Sequence, residues 1–299
     1  PSPLRLHLDR KVILSMQIPM SRFILKINLL QLKLGGVALS TDIKSNLGPS
    51  EWAMLLGLSV IWGGSFFLIA VAVAELPPFT IVMLRVSLAA LVLWAVVAVR
   101  GMAIPRSSKA WRALLVMGVI NNAIPFTLIT YGETEITSGL AGILIATTPL
   151  FTVLTAGVFL ADERISAKKI AGVVIGMAGV AVMIGPAALQ GMGGGTLGQL
   201  AVLGGAASYA SAGVYGRRFR VMGISPIVVT AGQATTAALM LIPLSLVVDR
   251  PFSLPFPSPA AWGSVVALGL VCTAFAYIFY FRILATAGAT NIAQVTFLV

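Results

Sequence analysis

Polar and aromatic side chains recur near the middle of long apolar segments of this sequence. A polar group at that depth in a membrane is costly, so it usually faces a protein interior or a substrate path. Amides and hydroxyls there could orient the polar end of a small solute, while aromatic rings pack against its apolar part. The residues in this class are Trp62, Asn121, Asn122, Thr147, Thr148, Ser208, Tyr209, Ser211, Cys272 and Thr273.

Two interpretations of this polar layer stay open. Each Asn or Thr could instead hydrogen-bond between helices as a packing contact, worth about 0.6 kcal/mol. As a group, the layer favours a substrate path, with Trp62 and Tyr209 as partners across a cavity. Tyr277, Tyr280 and Gln294 are weaker candidates for substrate binding, since aromatic residues at helical spacing more often form a packing surface.

Arg85 is a basic residue well inside an apolar segment. It could bind a substrate carboxylate, pair with Glu133 or Glu135, or anchor its helix by reaching outward. Pairing within the protein is the first expectation and substrate contact is the second.

Two prolines are expected to interrupt helices beside the polar layer. Pro125 cannot donate to the carbonyl of Asn121, and Pro149 cannot donate to that of Ile145. The sequence therefore predicts two kinks, each with a free carbonyl that a substrate ammonium or a water could reach.

The sequence offers little for catalysis or metal binding. Its one histidine, His7, lies near the N-terminus, and its one cysteine, Cys272, lies in an apolar run. A GxxxxGK[ST] phosphate loop is absent from the sequence, as are Asp and Glu from the middle of the apolar segments. We expect no enzyme activity, no cofactor and no metal. Proton coupling would use Glu133 or Glu135, or the protein is a facilitator.

The composition is that of an integral membrane protein of helical class. Hydrophobic residues make up 58% of the chain, charged residues 10%, and the mean hydropathy is +1.00. Helices are expected because backbone in lipid must satisfy its own hydrogen bonds. Nine apolar segments are predicted, at residues 52–73, 79–99, 111–131, 138–160, 168–186, 198–215, 225–248, 261–281 and 288–299.

Basic residues concentrate in alternate connections between these segments, which places those connections and the N-terminus in the cytoplasm. Anionic lipid headgroups are the expected partner of this basic face, and nucleic acid is not implied. These basic residues are Arg100, Arg106, Lys109, Arg112, Arg164, Lys168, Lys169, Arg217, Arg218, Arg220 and Arg282.

The sequence contains an internal repeat. Laying Trp111 on Trp262 aligns Gly118 with Gly269, Asn122 with Thr273 and Phe126 with Tyr277, and Pro78 falls against Pro226. A unit of five helices enters the membrane from opposite sides in its two copies, so the basic loops indicate an inverted repeat.

This repeat divides the chain into four parts. Residues 1–50 form a basic extension, either interfacial or non-native; 51–186 form the first repeat, 187–197 a Gly-rich linker and 198–299 the second repeat. In the repeat register Thr148 matches Val299, so the second copy is expected to be truncated in its ninth helix.

Gly172, Gly176 and Gly179 form a small-residue stripe for packing or for a homodimer.

Several phrases of the sequence resemble the EamA-type domain of the drug/metabolite transporter superfamily. They are WGGSFF at 62–67, LPPFTIVMLR at 76–85, TSGLAGILIATTPLFTVLTAGVFLADERIS at 137–166 and AGVVIGMAGV at 171–180. The resemblance implies a ten-helix carrier of the inner (plasma) membrane, and many members of that family export amino acids or related metabolites.

Together these features predict a secondary carrier that exports a small metabolite, an amino acid or related zwitterion, by alternating access. The alternative is a non-transporting membrane component, or an inactive fragment of such a carrier.

Overall fold

The computed structural model describes residues 48–160, 166–184, 195–283 and residue 295. Over these ranges the chain is helical and contains no strand, as the composition predicts. The α-helices are α1 Pro49–Val73, α2 Pro78–Val99, α3 Ser108–Gly118, α4 Ile124–Gly132, α5 Ser138–Ile145, α6 Thr148–Phe159, α7 Ala167–Ile184, α8 Thr196–Val221, α9 Pro226–Leu244 and α10 Pro259–Gly269. The described chain also has three π-helical segments, Val119–Ala123, Ser245–Asp249 and Leu270–Phe275, and a 3₁₀ turn, Pro251–Ser253. After the last π segment, residues 276–283 are again α-helical.

Six helical stretches of the described chain are long and apolar enough to cross a membrane. Large apolar side chains such as Val60, Phe67 and Leu91 are more than 60% exposed on them, as expected of a surface that lipid covers. The stretches are Pro49–Val73, Pro78–Val99, Ser108–Gly132, Ser138–Phe159, Pro226–Asp249 and Pro259–Ile283.

The remaining two helices, α7 and α8, coincide with the predicted segments 168–186 and 198–215. Three other predictions fall largely on residues outside the described ranges: the basic extension, the Gly-rich linker and the segment 288–299. Gln294 is outside them as well.

The helices start on the residue types that favour helix initiation. Proline occupies the first turn of α1, α2, α9 and α10, where its missing N–H is no loss. Serine caps α3 and α10: the Ser107 hydroxyl accepts from the Ala110 amide, and the Ser258 hydroxyl accepts from the Ala261 amide.

The stretches that contain α3 and α10 follow one plan. Each begins after a capping serine, runs for 11 α-helical residues and ends on a glycine, Gly118 or Gly269. A π segment follows directly in both, Val119–Ala123 in one and Leu270–Phe275 in the other. Such bulges are frequently found at functional sites.

Helices α2 and α9 pack along each other and hold the centre of the fold. At the start of α2 and just beyond the end of α9, both the amide and the hydroxyl of Thr80 donate to the Asp249 carboxylate, at 2.6 and 2.8 Å. Further along, the Trp94 indole donates to the Thr235 hydroxyl at 2.7 Å. The pair is therefore fixed at two levels by hydrogen bonds between helices.

Two glycines bring the α3 and α10 stretches against this central pair. A Cβ at Gly118 would lie 2.6 Å from the Gln233 carbonyl oxygen, and a Cβ at Gly269 would lie 3.0 Å from that of Arg85. Only glycine permits these approaches. They place the two π segments beside Gln233 and Arg85.

Candidate functional site

The guanidinium of Arg85 lies inside the helix bundle. The residue is 6% exposed, its Nε donates to the Thr273 hydroxyl at 2.9 Å, and its Cζ lies 3.9 Å from the centre of the Phe126 ring. The Thr273 hydroxyl in turn donates to the Leu268 carbonyl, so its orientation is fixed. Stacking on an aromatic face suits a guanidinium, but it does not neutralise the charge.

Arg85 forms no ion pair with a carboxylate among the residues that the structure describes. The first expectation from the sequence, a pair with Glu133 or Glu135, is therefore not formed. The two side chains make no hydrogen bond to each other, and the Arg85 charge has only a small lowering effect on the pKa of Glu133. A buried cation without a counter-ion is costly, so this arrangement suits the arrival of an anionic group.

A second polar group joins the π segment after α3 to α9 and to the stretch that follows α10. The Asn121 amide donates to the Gln233 side-chain oxygen and to the Tyr277 hydroxyl, each at 3.3 Å. Gln233 is 2% exposed, and the sequence analysis did not select it. It lies seven residues after Pro226 in α9, as Arg85 lies seven after Pro78 in α2, so the repeat alignment was a signal that could have found it.

Aromatic rings connect and flank these groups. Tyr209 contacts Phe126 edge to face at 6.3 Å, so Phe126 lies between Arg85 and Tyr209. Tyr277 stacks on Phe281 at 6.2 Å. We call the whole arrangement the polar cluster, and its members are Arg85, Asn121, Phe126, Tyr209, Gln233, Thr273 and Tyr277.

Asn122 is fully buried beside this cluster, in the π segment that follows α3. Neither its side-chain oxygen nor its side-chain nitrogen has a hydrogen-bond partner. An unmade hydrogen bond of this kind costs about 1–3 kcal/mol. Its unmet donor and acceptor, next to Asn121 of the polar cluster, are available to a ligand.

Trp62 packs elsewhere in the fold. Its ring lies 5.9 Å from that of Tyr280, in an apolar cluster with Leu55, Leu58 and Ile283. The predicted partnership of Trp62 with Tyr209 across a cavity stays a prediction; the ring contacts of the two residues are Trp62 with Tyr280 and Tyr209 with Phe126.

The hydroxyls predicted on α5, α6 and α8 bond to nearby carbonyls. Thr147 donates to Leu144 and Thr148 to Ile145, both at 2.6 Å, where Pro149 separates α5 from α6. The expectation of a free Ile145 carbonyl is therefore wrong, because the neighbouring hydroxyl takes it. On α8, Ser208 donates to the Ile120 carbonyl and Ser211 to that of Ala207.

An apolar cavity of about 360 Å³ lies between α6 and α7. Gly176 of the predicted glycine stripe lines it and packs against Leu150, whereas Gly172 faces open space. The cavity lining is Ile143, Ala146, Thr147, Pro149, Leu150, Gly176, Gly179 and Val180. It shares no residue with the polar cluster.

Glu133 ends α4 and is 7% exposed. Its Oε2 accepts from the Ser138 hydroxyl at 3.0 Å, and its Oε1 has no partner. Burial raises the pKa of this carboxyl to about 8, against the smaller opposing effects of the Ser138 hydrogen bond and the Arg85 charge. A carboxyl with such a pKa can exchange a proton near neutral pH.

Comparison with known proteins agrees with this picture. A family model described as the EamA-like transporter family matches residues 50–185 and 196–299. The uncharacterized inner membrane transporter YedA of Escherichia coli K12 is 29% identical over 81% of this chain and 77% of its own length. The uncharacterized transporter YoaV of Bacillus subtilis 168 is 24% identical over 77% of this chain and 78% of its own.

One solved crystal structure shares the fold. It aligns with a TM-score of 0.56 over 83% of this chain and 86% of the other, at 21% sequence identity.

Proposed function

Because the chain belongs to the EamA-like transporter family and is an integral membrane transporter, we propose that it is a secondary carrier of the inner membrane that exports a small metabolite by alternating access. The proposed substrate class is an amino acid or a related zwitterion. The known relatives support transport and membrane location, and the substrate class rests on the polar cluster.

The observation that carries the proposal is the unpaired guanidinium of Arg85. Its Nε is held by Thr273 and its face is covered by Phe126, which leaves its terminal nitrogens for a ligand. Guanidinium binds carboxylates in a two-point geometry that an ammonium cannot reproduce. A substrate with a carboxylate would supply the missing counter-charge.

The rest of the polar cluster supplies orientation. Asn121, Gln233 and Tyr277 present amide and hydroxyl groups in one connected set. The unpartnered Asn122 adds a donor and an acceptor beside them. Phe126 and Tyr209 offer ring faces for the apolar part of a solute.

We further propose a complete architecture of ten helices in two inverted five-helix repeats, with the N-terminus in the cytoplasm. The common plan of the α3 and α10 stretches supports the duplication, as do the matched places of Arg85 and Gln233. Sites at the interface between inverted repeats are typical of secondary transporters. Anionic lipid at the basic loops and a homodimer are further proposed partners.

Flux into proteoliposomes tests the carrier function. Purified protein is reconstituted and screened with amino acids, nucleosides and sugars, and we expect saturable flux of a zwitterionic member. Arg85→Gln should reduce that flux at least tenfold while membrane insertion is retained. Arg106→Gln, which removes an exposed arginine, is the matched control and should transport normally.

Two outcomes would contradict the proposal. Wild-type protein that moves no member of the panel would favour the non-transporting component or inactive fragment. Equal flux by wild type and Arg85→Gln would remove Arg85 from the substrate site.

A further inference from the structure

Glu133 lies on the same helical face as the ring beneath Arg85. Phe126, Thr130 and Glu133 follow the spacing i, i+4, i+7 in α4 and at its end, so they form one line of side chains. The rise from Phe126 to Glu133 is about 10 Å. This line leads from the guanidinium of Arg85 toward the outer end of the third span.

The two residues at the end of this line have unmet hydrogen bonds. Thr130 is 1% exposed and its hydroxyl has no partner, and the Oε1 of Glu133 has none either. The Oε2 of Glu133 lies 3.0 Å from the Ser138 hydroxyl, whose single hydrogen is shared between this oxygen and the Phe66 carbonyl of α1 at 3.2 Å. One carboxylate oxygen is therefore held in place while the other is free to receive a donor.

The charges around Glu133 are few. Arg85 of α2 is the charge that acts on it, and the carboxyl of Glu75, at the outer end of α1, is occupied by the Ser258 amide and hydroxyl. The other titratable side chains that neighbouring elements bring to the same core are Tyr209 of α8 and Cys272 of the π segment after α10. On the connection that follows α4, Glu135 is exposed to solvent. Helix α5 contributes no titratable residue.

Arg85 thus presents a cationic group, and Glu133 presents a carboxyl that becomes anionic when it loses its proton, and the two side chains make no hydrogen bond to each other. A zwitterion presents the opposite pair of charges on one small molecule. With its carboxylate on Arg85, its ammonium would be directed along the Phe126 face toward Glu133. Each end would then make a charge-assisted hydrogen bond at about 2.8 Å.

We propose that Glu133 binds the ammonium group of the zwitterionic substrate and exchanges that group for a proton. This inference rests on the proposed carrier function. In the free site Glu133 holds a proton on its carboxyl. When the substrate enters, the O–H bond breaks, the proton leaves to the compartment to which the site is open, and the ionised carboxylate takes the ammonium as its partner.

The exchange makes proton and substrate compete for one group. When the site faces outward, a proton from outside would bind to the Glu133 carboxylate, restore its neutral form and release the zwitterion. One proton would enter for each zwitterion exported, so export would be driven by an inward proton gradient. The raised pKa of Glu133, about 8, keeps the proton bound at neutral pH until a substrate arrives.

Titration calorimetry on the purified full chain tests this exchange. Binding of the transported zwitterion is measured near pH 7 in two buffers with different ionisation enthalpies, which yields the number of protons released. We expect close to one proton per zwitterion bound by wild type, since pH 7 is about one unit below the pKa. A carboxylate with the same carbon skeleton as the zwitterion but without the amino group should release no proton on binding.

Two variants complete the test. Glu133→Gln keeps the size of the side chain and its contact with Ser138, and we expect it to bind the zwitterion more than tenfold more weakly without proton release. Glu135→Gln removes the exposed neighbouring carboxylate and should behave as wild type.

Each outcome has a separate meaning. Zwitterion binding by wild type without proton release, or equal proton release by Glu133→Gln, would overturn the exchange and leave the carrier function intact. Failure of wild type to bind any zwitterion that the flux assay contains would overturn both.

Discussion

Arg85 and Thr273 join α2 to the π segment that follows α10, through a 2.9 Å hydrogen bond from the Arg85 Nε to the Thr273 hydroxyl oxygen. This bond orients the guanidinium group. Because its Nε points at the Thr273 hydroxyl, its two terminal nitrogens point away from Thr273. Thr273 is held by its own bond to the Leu268 carbonyl. The direction of the guanidinium thus depends on the irregular backbone of the π segment.

Thr273→Val should therefore weaken substrate binding by about tenfold without preventing insertion. Valine has the same shape but cannot accept from Nε, and losing a charged hydrogen bond costs about 1.5–3 kcal/mol. The concentration for half-maximal flux is the measurement. Thr152→Val is the control, because the Thr152 hydroxyl bonds only to the Thr148 carbonyl of its own helix. An unchanged half-maximal concentration in Thr273→Val would contradict the positioning role.

Asn122→Leu should stabilise the protein and impair transport. The change removes two buried groups that have no partner, which should raise the free energy of unfolding by about 1–3 kcal/mol. Thermal unfolding in detergent and proteoliposome flux measure the two effects. Asn121→Leu is the comparison: its amide makes two hydrogen bonds, so we expect it to lower both stability and flux. Destabilisation by Asn122→Leu equal to that by Asn121→Leu would contradict the prediction.

Gly118→Ala and Gly269→Ala should each destabilise the fold by about 1–3 kcal/mol, because the new methyl group meets backbone of α9 or α2 that cannot give way easily. Thermal unfolding in detergent is the measurement. Gly57→Ala and Gly213→Ala are controls in helices where a Cβ has open space, and they should be neutral or slightly stabilising. Equal melting temperatures for all four variants would rule out the close approaches.

Stability should fall as the pH rises, through Glu133. The pKa of its carboxyl is about 8 in the folded protein against 4.5 in the unfolded chain, so the folded state binds the extra proton between these values. The contribution of Glu133 to the free energy of unfolding is fully present below pH 4.5 and is lost as the pH rises through 8. It is on the order of a few kcal/mol in total. Melting temperature against pH should be flatter in Glu133→Gln. Identical profiles for variant and wild type would show that another group is responsible.

The helical fold was predictable because its signals are local and strong. Apolar runs of spanning length and prolines in the first turn mark where helices lie, and α2 begins at Pro78, one residue before the predicted segment. Arg85, Tyr209 and Thr273 were selected for polarity or aromatic character at depth, and the structure brings all three into the polar cluster.

Gln233 and Phe126 were missed for different reasons. Gln233 lies two residues before the middle of α9, so a search for polar residues at depth could have found it. Phe126 is an ordinary apolar residue whose role comes from the cation above it. The π segment Val119–Ala123 carries no sequence signal beyond a following proline. The contact of Trp62 with Tyr280 depends on how distant helices pack, which depth along a single helix does not specify.

The break between α5 and α6 carries its own hydrogen-bond donors. A gap in a membrane helix usually depends on neighbouring helices or water to satisfy the carbonyls that it frees. Here the hydroxyls of Thr147 and Thr148 move with the chain and stay bonded to Leu144 and Ile145. The break between the two half-helices therefore keeps the Leu144 and Ile145 carbonyls hydrogen-bonded within the same stretch of chain, without a donor from another helix.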